Sequence, residues 1–204
     1  RVASYRAGNA GIRNIRFEMM DARNIVYRSH LFDAVGSNLG IPTVGYDRTF
    51  HEVHRLLKPG GRFVFSGWDA QLPPSTAAFR DLLDRHKTPT PSATLAQLRE
   101  ALALSRNSTE AQDLRNPAAV AKKLAAEEFA RVDDVVRTFP VHFADAHDLV
   151  TFMTSWGWDE REVAEMAAEG RKAFDAELAE RLRPLEGPAG VHDTWTIHLT
   201  VARA

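Results

Sequence analysis

The chain has 204 residues, 44% of them hydrophobic and 26% charged, the profile of a globular protein able to bury a substantial core. Its 26 basic and 27 acidic residues leave a formal net charge of −1 with no basic stripe, which argues against a nucleic-acid partner. It has no cysteine, which excludes disulfides, thiolate metal sites and cysteine nucleophiles, and no apolar run approaches the roughly 18 residues of a membrane span.

Residues Arg1 to Ala10 read as the end of a helix stopped near Gly11. They are not followed by the apolar region of a signal peptide, so cytoplasmic residence is expected. Ile15 to Met20 reads as a short strand that delivers Asp21-Ala22 into a loop. Phe32 to Leu39 reads as a second strand, with Gly36 permitting close backbone approach. From Tyr46 to Leu57 the apolar residues Tyr46, Phe50, Val53 and Leu57 fall at helical spacing. Pro59-Gly60-Gly61 then predicts a tight turn, because proline presets φ and glycine accepts a positive one. The strand Arg62 to Trp68 carries Phe63, Val64 and Phe65 in a row, which suits a strand buried on both faces of a parallel sheet.

Leu72 to Asn116 holds two helices, around Thr76 to His86 and Ala93 to Leu104, joined by the stiff linker Lys87-Thr88-Pro89-Thr90-Pro91-Ser92, with Ser92 as N-cap. Asn116-Pro117 starts another helix, with Val120, Leu124 and Phe129 as its apolar edge. Val135 to Phe143 reads as a strand. Asp145-Ala146-His147-Asp148 opens a helix with Leu149, Phe152, Met153 and Trp156 on one face, ended by Gly157. Asp159 with Glu162 resembles a capping box for a long helix to about Arg183, which Pro184 terminates. Thr194 to Val201 alternates, with Trp195, Ile197, Leu199 and Val201 against threonines and His198, as an edge or antiparallel strand does. Strands alternating with helices predict an α/β sheet, in which ligands sit beyond the C-terminal strand ends. Asp21-Ala22, Ser37-Asn38-Leu39 and Gly67-Trp68-Asp69 are the segments so placed.

The run FEMMDARNIVYRSHLFDAVGSNLG, then a helix, then RLLKPGGRFVFSGW, resembles the central half of a class I S-adenosylmethionine-dependent methyltransferase, over about Arg1 to Asp69. The resemblance implies a Rossmann-like sheet with an antiparallel last strand, in one domain spanning 1–204, with 72–116 and 145–183 as helical cap segments. It implies that Asp21 accepts from the adenine amino group and that the Ala22 amide faces the adenine ring. Ser37, Asn38 and Leu39 would line the methionine side of S-adenosylmethionine, and Trp68 and Asp69 would border the substrate. The implied reaction is methyl transfer to an O-, N- or C-nucleophile of a small molecule by in-line displacement, with S-adenosylhomocysteine as product. The family's glycine-rich loop and ribose-holding acid lie upstream of Asp21, and Gly8 and Gly11 follow no strand that would make them a substitute. Two family strands that stand between those at Ile15 and Phe32 also have no counterpart, so the sheet is expected to be incomplete at the N-terminus and the natural protein to be longer.

Several residues carry two readings. His142 and His147 are candidates for a general base, or surface histidines near a helix start. Trp156 and Trp158 wall an aromatic pocket or belong to the core. His51 and His54 fall near the solvent side of their helix, so no metal is expected there. The charges of Glu160 to Arg183 read as a solvated face. Methylation of nucleic acid is opposed by the charge balance and by Ser37-Asn38-Leu39-Gly40, which lacks the Asn/Asp-Pro-Pro-aromatic motif. No membrane partner is expected, and a homo-oligomer is compatible with the sequence. A non-catalytic methyltransferase-like binding or oligomerisation protein is the alternative of another class. A nicotinamide-dependent Rossmann enzyme explains the Asp-Ala and Pro-Gly-Gly pattern less well.

Overall fold

The computed structural model describes residues 2–106, 108–155, 157 and 159–204. In chain order it forms α1 (Val2–Asn9), β1 (Phe32–Asn38), α2 (Tyr46–Leu56), β2 (Leu57–Trp68), α3 (Pro74–His86), α4 (Ala93–Arg106), α5 (Thr109–Asp113) and α6 (Pro117–Ala126). There follow β3 (Arg131–Phe143), α7 (Ala146–Thr154), α8 (Glu160–Ala164), α9 (Ala168–Leu182), β4 (Glu186–Gly187) and β5 (Gly190–Arg203). The strands make one mixed sheet in the order β1-β2-β5-β3, with the short β4 folded onto β5. β1 and β2 are parallel, and β5 runs antiparallel to both β2 and β3.

Helices cover both faces of this sheet. On one face α2 and α6 bring Tyr46, Phe50, Val53, Val120 and Leu124 onto Phe63, Phe65 and Ala202. Phe63 and Ala202 are a cross-strand pair and so share that face. On the other face α3, α7 and α9 bring Phe79, Leu82, Leu149, Phe174 and Leu178 onto Val191 and Trp195 of β5. β5 therefore changes its buried face along its length. Val191 and Trp195 are buried at its start, while Thr200 and Ala202, of opposite parity, are buried at its end. The sequence pattern predicts one buried face throughout. That expectation is corrected here, because each half of the strand meets a different helical layer.

The turn at Pro59-Gly60-Gly61 is present inside β2. The ladder jumps from Phe32↔Leu57 to Ala34↔Arg62, so Lys58 to Gly61 loop out of register. Gly60 has φ 78° directly after Pro59, the arrangement of a type II turn. The Gly60 amide donates to the Ala204 carbonyl at 2.8 Å, tying the turn to the end of β5. The helix caps also stand as expected. Asn116 Oδ1 accepts from the Ala118 amide at 3.0 Å, Asp145 Oδ1 from the Asp148 amide at 2.8 Å, and Ser92 Oγ from the Leu95 amide at 3.2 Å.

Three further expectations are corrected. Ile15 to Met20 is not a strand: it pairs with none of the described strands, and Ile15, Phe17 and Met19 are exposed. β1 accordingly has β2 as its only neighbour among the described strands. β2 is not buried on both faces, since Val64 is 37% exposed between the buried Phe63 and Phe65. The long helix from Asp159 is two helices broken at Glu165–Ala167, and Asp159 makes no capping bond. Its carboxylate instead holds Arg80 at 2.6 Å. At the break, Glu165 accepts from the Ser92 amide and hydroxyl at 2.8 and 2.7 Å, while Arg99 reaches Glu162 at 2.6 and 2.7 Å. These bonds fasten α4 to α8 and turn the chain before α9. No helix among the described residues is long and apolar enough to cross a membrane.

Candidate functional site

The parallel strands β1 and β2 end side by side, with Asn38 opposite Ser66. Ser66 is buried, and its hydroxyl donates to Asn38 Oδ1 at 2.7 Å while accepting from the Leu39 amide at 2.9 Å. Leu39 has φ 52°, a left-handed conformation that costs a branched side chain energy and that Ser66 holds in place. Ser37 and Asn38 thus end β1, and Leu39 turns the chain out of the sheet at the strand end, where ligands of open α/β sheets sit. Ser66 itself escapes a sequence reading, because a serine in an apolar strand has no distinguishing pattern.

Asp21 and Ala22 stand in a loop outside the sheet. The loop they begin is bound to α2: the Ile25 amide donates to Glu52 Oε2 at 2.8 Å, and Arg55 donates to the Ile25 and Tyr27 carbonyls, both at 2.8 Å. Arg55 also bonds Glu52, which holds that carboxyl down at about 2. The Asp21 carboxylate accepts from Arg23 Nε at 3.0 Å, Nη2 at 2.8 Å and the backbone amide at 2.9 Å. These bonds from Arg23 lower its pKa to about 2, so it is an acceptor only. The Arg23 side chain lies against Gly45, the residue preceding α2, where φ is 72° and an added Cβ would meet Arg23 Cδ at 3.1 Å. Arg23 thus ties the Asp21 loop to the start of α2.

Beyond the end of β2 lies a cavity of about 430 Å³, within the range of small-molecule sites. Trp68 and Asp69 line it, together with Leu72 and Arg80 of the α3 region, Met153 of α7 and Trp195 of β5. The Trp68 and Trp195 rings meet edge to face at 5.3 Å, giving the wall an aromatic corner. Asp69 is the one carboxylate lining it among the described residues. Its Oδ1 accepts from the Gln71 amide at 2.7 Å, and its Oδ2 lies 2.9 Å from His198 Nε2. Those two contacts, the Gln71 amide first, lower the Asp69 pKa. Two guanidinium groups line the cavity as well: Arg80, held by the buried Asp159, and Arg115, which has no carboxylate partner among the described residues.

His142 and His147 are not among the residues lining this cavity. His142 pairs with His192, whose parity on β5 is opposite to that of Trp195, so both rings project from the other face of the sheet. The two imidazoles pack together there at 4.5 Å. His147 is exposed on α7. His51 bonds Glu127 at 3.0 Å, and His54 packs on Phe129. Trp156 and Trp158, read as pocket or core, lie outside the described residues.

Residues 1–65 match a protein family described as a methyltransferase domain. No curated protein matches the chain. Among solved structures, the YcgJ protein from Bacillus subtilis aligns with a TM-score of 0.50 at 18% identity, covering 99% of this chain and 76% of that one. A protein provisionally described as a methyltransferase, from Bacillus halodurans, aligns with a TM-score of 0.52 at 14% identity, covering 99% and 77%. The chain has a class I methyltransferase-like fold, a Rossmann-like mixed sheet with flanking helices.

Proposed function

We propose that the protein transfers a methyl group from S-adenosylmethionine to a small-molecule acceptor seated in the cavity that Trp68 and Trp195 line. The observation that carries this reading is one of placement. Ser37 to Leu39 stand at the C-terminal end of β1 beside the end of its parallel neighbour β2, and Trp68 and Asp69 lead from that end of β2 into the cavity wall. Asp21, ionised and acceptor-only, suits the adenine amino group, and Ala22 offers its amide beside it. Ser37, Asn38 and Leu39, fixed by Ser66, would line the methionine side.

Bound S-adenosylmethionine supplies an already activated sulfonium methyl, so the protein's work is alignment and exclusion of water. Trp68, Trp195 and Met153 enclose the acceptor in an apolar wall. Asp69 accepts a hydrogen bond from its O–H or N–H and so turns the nucleophile's lone pair. The lowered pKa of Asp69 makes it an orienting acceptor rather than a strong base.

The reading is tested by thermal unfolding with S-adenosylhomocysteine. A ligand that binds only the folded state stabilises it by about 2.7 kcal/mol at a hundredfold excess over Kd. For a chain of this length that is a rise in Tm on the order of 5–10 °C. Asp21→Ala is expected to weaken binding about tenfold or more, the cost of a hydrogen bond to a charged group. No rise at millimolar ligand contradicts the proposal.

A further inference from the structure

We propose that His198 is a positioning residue for the acceptor site: bonded at both ring nitrogens, it braces the cavity's carboxylate, Asp69, against Asp134 of β3. The three residues come from the end of β2, the middle of β5 and the start of β3. His198 Nε2 lies 2.9 Å from Asp69 Oδ2, and Nδ1 lies 2.8 Å from Asp134 Oδ2. The far carboxylate is itself anchored, since Thr200 Oγ1 donates to Asp134 Oδ1 at 3.3 Å. An ionised carboxylate only accepts, and a neutral imidazole has one N–H to give. Both bonds therefore exist together only in the imidazolium form.

Two charged groups bond the ring and a third lies in the recess beside it. Asp69 and Asp134 bond it, and Arg115 shares with His198 a small recess bounded by Leu114, Pro117 and Val120. Burial of the ring opposes its charge, yet the bonds to Asp134 and Asp69 outweigh that cost and raise its pKa above the ordinary histidine value. Asp69 moves in the opposite direction. The brace is complete between those two titrations. As pH falls through the lowered Asp69 value, the carboxylate protonates and its bond to the cation weakens. As pH rises through the raised His198 value, the ring keeps one proton and one carboxylate loses its donor. Where the lost donor is the one to Asp69, only the Gln71 amide on Oδ1 still holds that carboxylate, and the acceptor site loosens on the alkaline side.

This inference rests on the methyl-transfer reading only for what occupies the cavity. Its test is a side-chain NMR titration of the full chain, following the His198 ring nitrogens by 15N and the Asp69 carboxyl by 13C. In the wild type the His198 midpoint is expected above that of an ordinary histidine, with both ring nitrogens protonated below it, and the Asp69 carboxyl signal is expected to show a second inflection at that midpoint. Asp69→Asn and Asp134→Asn should each lower that midpoint by about one unit or more, the effect of removing a neighbouring opposite charge. A His198 midpoint at or below the ordinary histidine value, or an Asp69 signal that does not respond when His198 titrates, overturns the proposal. The wild-type signals decide it even if a variant fails to fold. Binding of S-adenosylhomocysteine is a separate readout: its failure would remove the methyl-transfer reading and leave the bracing of Asp69 as measured.

Discussion

Phe50→Ala is expected to destabilise the protein by about 3–5 kcal/mol, the usual cost of truncating a fully buried phenylalanine. Phe50 is 0% exposed and is the ring on which one of the two cores is built. It meets Tyr46 at 5.2 Å, Phe65 at 5.5 Å and Phe63 at 5.9 Å, so the same side chain joins α2 to the middle of β2. Its removal leaves a cavity between helix and strand that neither can collapse without breaking its own backbone bonds. For a chain of this length, Tm should fall on the order of 10 °C, with the denaturant slope unchanged. Val136→Ala, at a site 51% exposed, is the control and should stay within about 0.5 kcal/mol. Because α2 also carries Gly45 at its start and Glu52 and Arg55 on its flank, the Phe50 variant should loosen the Asp21 loop as well. A loss below about 1 kcal/mol would contradict the packing described.

Asp193→Ala is expected to cost about 2–4 kcal/mol, because it orphans buried donors. Asp193 is 7% exposed on β5 and accepts from the backbone amide of Ser75 at 2.9 Å and from its hydroxyl, and from the Thr194 amide at 2.7 Å. Ser75, in the first turn of α3, is fully buried. The carboxylate thus satisfies an N-terminal amide of the helix and complements its dipole from a neighbouring strand. α3 carries Thr76 and Arg80 into the cavity wall, so the loss should appear there first. Amide hydrogen exchange in Pro74–His86 should quicken more than in α2. A variant as stable as the wild type to within about 0.5 kcal/mol would show that Asp193 does not anchor the helix.

Local signals were legible in the sequence and long-range partners were not. Asn116-Pro117, Asp145 and Ser92 cap the expected helices, because a cap bonds amides two or three residues away. The turn at Pro59-Gly60 is legible for the same reason. Ile15 to Met20 has a strand's composition, yet a strand exists only where a neighbour completes its hydrogen bonds, and none of the described strands does so. The break at Glu165–Ala167 carries no proline or glycine; it follows from contacts of Glu162 and Glu165 with Arg99 and Ser92, far away in the chain. Trp68 and Asp69 were readable as cavity residues because strand ends are where α/β sheets keep their ligands. His198 was not, since its partners Asp69 and Asp134 stand 129 and 64 residues away. The candidacy of His142 and His147 rested on nearness to a helix start and could not anticipate the parity that turns His142 to the other face.

The central claim is that the ends of β1 and β2 hold S-adenosylmethionine beside the Trp68–Trp195 cavity. Hydrogen–deuterium exchange with and without saturating S-adenosylhomocysteine tests it most directly. Slowed exchange is expected at Asp21 to Ile25, at Asn38 to Gly40 and at Trp68 to Gln71, with α9 unchanged. Binding that leaves those three segments at their free rates, or protects α9 instead, would contradict it.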